Sequence, residues 1–139
     1  MQTISYEQSG SVGWLRLNRP DRLNAMTIEM WEELAKLGES LGDDASIRCL
    51  VVIGEGRAFS SGIDVEHLLS GGGGNLFSEA GKGAAAQAES PSSGGRMEDK
   101  LVSRISDIQE AYTWLADAPY PTIAAIRGYA LGGGLQLAL

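Results

Sequence analysis

Two glycine turns hold the residues of this sequence best suited to chemistry. The later turn is Gly132-Gly-Gly134. It follows an apolar, β-branched run, Pro121-Thr-Ile-Ala-Ala-Ile126, and precedes Leu135-Gln-Leu-Ala-Leu139, which reads as the start of a helix. The earlier turn, Gly54-Glu-Gly-Arg-Ala-Phe-Ser-Ser-Gly-Ile-Asp-Val65, also follows an apolar run, Cys49-Leu-Val-Val-Ile53. Strand, glycine turn and helix N-terminus in series expose backbone N–H groups that have no partner within the helix. Glycines let a ligand come close to that backbone. The pattern suits an anion, or an oxygen that becomes anionic during a reaction.

Other chemistries lack their patterns. No cysteine and histidine spacing fits a metal site. There is no G-x-S-x-G elbow and no P-loop, and Gly54-Glu-Gly56 misses the third glycine of the dinucleotide fingerprint. The single histidine, His67, reads as a surface residue without a partner.

The elements that must position the turns alternate. Thr3 to Gln8 alternates as an edge strand, Ser9-Gly10-Ser11 turns, and Val12 to Leu17 returns, which predicts a hairpin ended by Asn18-Arg-Pro20. Thr27 is placed to cap a helix carrying Ile28, Met30, Trp31, Leu34, Leu37 and Leu41 at helical spacing. A third strand over 48–53 is predicted to be buried, and a short helix over 65–69 follows Asp64. Residues 70–96 hold runs of glycine, alanine and serine and are expected to form a mobile loop. A helical pattern resumes at Met97 with Leu101, Ile105, Ile108, Ala111, Tyr112 and Leu115 on one face. It ends before Pro121, and 121–126 reads as a buried strand. Trp14, Trp31 and Trp114 fall on apolar faces, as core or subunit interface. This order is that of an α/β fold.

With 139 residues the chain has room for one domain, and 43% hydrophobic residues supply a core. A formal net charge of -7 argues against a nucleic-acid surface. One cysteine, Cys49, excludes a disulfide within the chain and reads as a small core residue. No run reaches membrane-spanning length and the first residues lack a signal-peptide pattern, so a cytoplasmic protein is expected.

Arg57-Ala-Phe-Ser-Ser-Gly-Ile-Asp64 together with Gly128-Tyr-Ala-Leu-Gly-Gly-Gly134 resembles the enoyl-CoA hydratase/isomerase (crotonase) superfamily. Asn18-Arg-Pro-Asp-Arg-Leu-Asn-Ala-Met26 resembles that family's N-terminal motif. The resemblance covers the chain apart from its low-complexity middle. It implies a crotonase-like spiral of β-β-α repeats, cut short after the start of the helix that follows the second glycine turn. Residues 1–139 would be the N-terminal part of a single such domain. The members are longer and the last helix lacks a cap, so the sequence is expected to be an N-terminal fragment, or a truncated gene, of a larger enzyme.

The resemblance also implies chemistry on an acyl-CoA thioester through an enolate, of hydratase or isomerase type. Hydrolase, decarboxylase and dehalogenase reactions share the same site plan. The backbone N–H groups of Ile63 and Gly133 would form the oxyanion hole. Arg22, Leu23, Arg57, Ala58, Ser61, Gly62, Ile63, Asp64 and Val65 would line the CoA site, with Arg22 and Arg57 as phosphate contacts and Asp64 as a local helix cap. Gln136 stands where family hydratases carry a glutamate, and an amide exchanges no proton near neutral pH. CoA would enter as part of the substrate, with no permanent cofactor and no metal. The parent protein is expected to be a homotrimer or hexamer. The alternative is a non-catalytic acyl-CoA-binding or truncated crotonase-like protein.

Overall fold

A computed structural model describes residues 3–69, 109 and 111–139. The mobile loop expected at 70–96, and the helix onset expected at Met97, lie outside the described residues.

Four strands form one sheet in the order β1-β2-β3-β4: Ile4–Ser9, Val12–Leu17, Cys49–Gly54 and Thr122–Ala125. β1 and β2 are the expected hairpin, paired antiparallel with Ser9 opposite Val12. Gly10 takes the positive φ of 60° that so short a connection favours. β3 joins β2 in parallel, and β4 joins β3 in parallel. Parallel neighbours need a crossover, and α1 (Ile28–Leu41) supplies the first. Thr27 caps α1 by accepting from the Met30 N–H at 3.3 Å.

Alternation places Gly13, Leu15 and Leu17 of β2, and Leu50, Val52 and Gly54 of β3, on the buried face. Leu15, Leu17, Leu50 and Val52 share one core with Met30, Trp31, Leu34 and Leu41 of α1. The opposite face is only half-buried. There the Arg16 guanidinium lies 5.7 Å from the centre of the Trp14 ring and pairs with Glu55 at 3.3 Å.

Two expectations change. Cys49 is half-buried, because it falls on the open face of β3. β4 is not a buried strand over 121–126 either. It spans Thr122–Ala125 at the end of the described sheet, with Thr122 and Ile123 exposed. Of the tryptophans, Trp31 is buried, while Trp14 and Trp114 are half-buried.

Three further helical segments are described. α2 (Val65–Leu69) comes after β3. A helical stretch over 111–117, α3, buries Ala111 and Leu115 one turn apart. α4 (Gly133–Ala138) follows β4 and buries Gly133, Gly134 and Leu137.

Candidate functional site

Three segments far apart in sequence lie side by side at one end of the sheet. The first follows β2. A single 3-10 turn, Pro20–Arg22, is stopped by Leu23 and Asn24, both at positive φ, 51° and 53°. Asparagine tolerates that conformation better than most residues. Asn24 is fully buried. Its side-chain oxygen accepts from the Arg19 N–H at 2.8 Å, and its amide donates to the Glu55 and Ala58 carbonyls at 2.9 Å each. One side chain thus fixes the first loop against the second.

The backbone completes the join. A parallel bridge pairs Met26 with Ile63: the Met26 N–H donates to Gly62 O at 2.7 Å, and the Asp64 N–H to Met26 O at 2.9 Å. A second parallel bridge pairs Ser60 with Ala130: the Ser60 N–H donates to Tyr129 O and the Leu131 N–H to Ser60 O, both at 3.0 Å. The Ser60 hydroxyl donates to Asn24 O at 2.8 Å and accepts from the Gly62 N–H at 3.2 Å.

This arrangement decides where the turn N–H groups point. In a parallel bridge centred on Ile63, its neighbours make the bonds to Met26. The N–H of Ile63 is therefore turned away from that partner. Gly133 opens α4 behind Gly132, whose φ is 48°, and first-turn N–H groups have no partner within a helix. Among the described residues, neither the Ile63 nor the Gly133 N–H has an acceptor. The two residues are neighbours: a Cβ placed on Gly133 would stand 3.5 Å from Ile63 Cγ1.

The other expected site residues gather around this pair to different degrees. Leu23 is joined to Ser61 by an N–H to carbonyl bond of 2.9 Å, and Ala58 is held by Asn24. Gly62, at φ 98°, packs on the Leu131 carbonyl, where a Cβ would come within 2.9 Å. Ile63 and Val65 are 45% and 58% exposed, which leaves an apolar surface open beside the turns. Arg57 is exposed and makes no ion pair among the described residues. Arg22 is exposed but bonded to Glu66, so a phosphate reaching it competes with that carboxylate. Gln136 is exposed, three residues along α4 from Gly133.

Asp64 is buried and takes the expected capping geometry, its Oδ1 accepting from the His67 N–H at 3.0 Å. Its Oδ2 accepts from Arg19 at 2.9 Å, and Arg22 lies 3.8 Å away. Burial alone would raise its pKa. The His67 N–H and the two guanidiniums outweigh that and hold it below the ordinary carboxylate value. A depressed folded-state pKa adds stability that is fully present above the unfolded value and is lost as pH falls through the folded one. An Asp64→Asn protein is expected to be less stable by about 1–3 kcal/mol at neutral pH, and to lose less than wild type on acidification below the ordinary aspartate range. Urea unfolding across that range checks both.

His67 does have a partner, contrary to its reading as a solitary surface residue. Its Nε2 is 2.9 Å from Glu29 of α1. Burial opposes ionisation of Glu29, but backbone, Thr27 and His67 interactions together lower its pKa. Asn24, Arg19 and Tyr112 were not singled out as site residues from sequence. Only Asn24 left a usable signal, a polar residue suited to positive φ between a proline turn and a helix cap.

A family model described as enoyl-CoA hydratase/isomerase matches residues 12–139. The chain belongs to the enoyl-CoA hydratase/isomerase family. The mouse mitochondrial Delta(3,5)-Delta(2,4)-dienoyl-CoA isomerase is 35% identical over 123 residues, covering 88% of this chain and 33% of the mouse protein. The peroxisomal enzyme of the same name from Arabidopsis thaliana is 31% identical over 137 residues, 99% of this chain and 45% of its own length.

Solved structures of the family agree in fold. A Thermobifida fusca protein assigned as an enoyl-CoA hydratase, solved with CoA, superposes with a TM-score of 0.73 at 35% identity, covering 98% of this chain and 46% of its own. A structure of such a protein from the same organism, with acetoacetyl-CoA, gives 0.72 at 36%. The chain therefore has the crotonase-type α/β fold over less than half the length of the relatives it matches. No helix among the described residues is long and apolar enough to cross a membrane.

Proposed function

We propose that the protein acts on acyl-CoA thioesters, with the Ile63 and Gly133 N–H groups receiving the thioester oxygen as it becomes anionic. The observation that carries this reading is the pair of neighbouring backbone donors without acceptors among the described residues. When the carbon next to the carbonyl loses a proton, its electron pair moves onto that oxygen. Two fixed donors stabilise the resulting enolate, and each is typically worth about 2.7–4 kcal/mol of barrier. Residues 1–139 supply this part of a single domain. CoA is carried in with the substrate, its adenine end along 57–65, with Leu23 beside it and Arg57 and Arg22 toward the phosphates.

Gln136 favours isomerisation over hydration. An amide can orient a substrate or a water but exchanges no proton near neutral pH, so the proton goes to another group. The dienoyl-CoA isomerase names of two similar proteins support this choice. The test is turnover of the purified protein on a panel of enoyl- and dienoyl-CoA esters. Double-bond migration without net hydration is expected. Gln136→Glu should then raise hydration of a short enoyl-CoA by about 10²-fold or more. Binding of the esters without any product would instead favour the non-catalytic acyl-CoA-binding reading, which the amide of Gln136 also fits.

A further inference from the structure

Tyr112 of α3 lies against the candidate site, and its hydroxyl is oddly partnered. The Trp31 indole N–H donates to the Tyr112 oxygen at 2.6 Å. The rings are tilted by 60° with centroids 6.5 Å apart, and Trp31 is itself buried. The hydroxyl's own proton has one acceptor among the described residues, the Met26 thioether at 3.8 Å. A thioether is a weak acceptor, and a half-buried O–H with no better partner is a donor in reserve.

Its position gives that donor a use. A Cβ on Gly133 would stand 3.0 Å from the Tyr112 hydroxyl, with Ile63 Cγ1 and Met26 Sδ as its next neighbours. The hydroxyl therefore lies beside Gly133, in the same neighbourhood as the Ile63 side chain. Burial, partly offset by the bond from Trp31, raises the tyrosine pKa above its ordinary value, so the proton stays on at physiological pH.

Building on the acyl-CoA reading, we propose that Tyr112 is a specificity-determining residue that donates a hydrogen bond to a second oxygen of the acyl group, the hydroxyl or carbonyl at C3, so that 3-hydroxy- and 3-oxoacyl-CoA esters compete with the enoyl and dienoyl esters for the site. The thioester oxygen already has two donors. An oxygen two carbons further along the chain is the nearest further acceptor a short acyl group can carry. Trp31 holds the phenol oriented, which lowers the ordering needed when the substrate binds.

Calorimetric binding of acetoacetyl-CoA and butyryl-CoA tests this in wild type and in Tyr112→Phe. Wild type should bind the oxygen-bearing ester about tenfold more tightly, as expected for one well-placed hydrogen bond in a site built for it. Tyr112→Phe should lose that tenfold for acetoacetyl-CoA and leave butyryl-CoA unchanged. Equal loss for both esters would mean a merely structural tyrosine and would overturn the proposal. So would equal affinities in wild type, a result that does not require the variant to fold. Failure of wild type to bind either ester would overturn the acyl-CoA reading itself, and the role of Tyr112 with it.

Discussion

Replacing Gly133 with proline is expected to lower turnover on an acyl-CoA ester by about 10²–10³ relative to a Gly133→Ala protein. Gly133 is the first residue of α4. Proline is tolerated at that position because its φ suits the helix and the lost N–H has no partner within it. The substitution removes one proposed donor while leaving the helix able to form. Both variants introduce a Cβ that meets the Tyr112 hydroxyl at 3.0 Å, so that contact must relax by a few tenths of an ångström in each. The alanine protein carries the same Cβ with the donor intact, so the difference between the two reports the loss of the N–H together with the ring carbons that replace it. The kcat values and the binding of a saturated acyl-CoA should be measured on both. Binding should fall less than turnover, because the donor acts most on the developing oxyanion. Equal kcat in the two folded variants would remove Gly133 from the oxyanion site.

Gly128→Ala is expected to destabilise by about 2–5 kcal/mol, well beyond Gly10→Ala. Gly128 has φ 67°, a region that L side chains rarely adopt, and a Cβ there would run into the Arg57 carbonyl oxygen. Neither partner can yield easily. Arg57 lies in the loop that Asn24 clamps on either side, through the Glu55 and Ala58 carbonyls. Gly10 supplies the comparison: its φ is similar, 60°, but nothing lies within 4 Å of an added Cβ. Gly10→Ala should show the backbone strain alone, about 1–2 kcal/mol. Urea unfolding of both variants checks the ranking, and equal losses would show that the close approach at Gly128 contributes nothing.

Local patterns were legible to within a residue or so, the first and third strands each lying one residue later than read. Val12–Leu17 as a strand, Ile28–Leu41 as a helix capped by Thr27, and Val65–Leu69 as a short helix all stand where apolar spacing and capping chemistry put them. The glycine turns were legible as connections from strand to helix, because glycine clusters favour sharp changes of direction. Burial was less so. The apolar run before the second turn says that β4 is a strand, but not that it lies at the end of the described sheet with Ile123 half in solvent. Pairings between distant residues left no trace either. Glu29 and His67 are ordinary on their own helices, and only the packing of α2 against α1 brings them to 2.9 Å. Tyr112 read as one more apolar-face residue, because nothing in its own segment reports the Trp31 indole or the Met26 sulfur beside it.

The bridge between Ser60 and Ala130 also sets when the site can exist during synthesis. Ribosomes deliver the chain from its N-terminus, and domains form as their segments emerge. The partners of Asn24 in the second loop lie 31 to 36 residues downstream of it, so the first two loops can lock together once β3 and its turn are made. The segment that meets Ser60 comes much later, and closing the larger loop carries a further entropy cost of about 0.6 kcal/mol for each doubling of its length. Until Ala130 docks, a nascent chain presents the Ile63 N–H alone. A single donor on an open loop has neither the geometry nor the seclusion to stabilise an enolate. On the acyl-CoA reading proposed above, the growing polypeptide gains its pair of thioester-facing donors only when the second glycine turn has been translated and has docked.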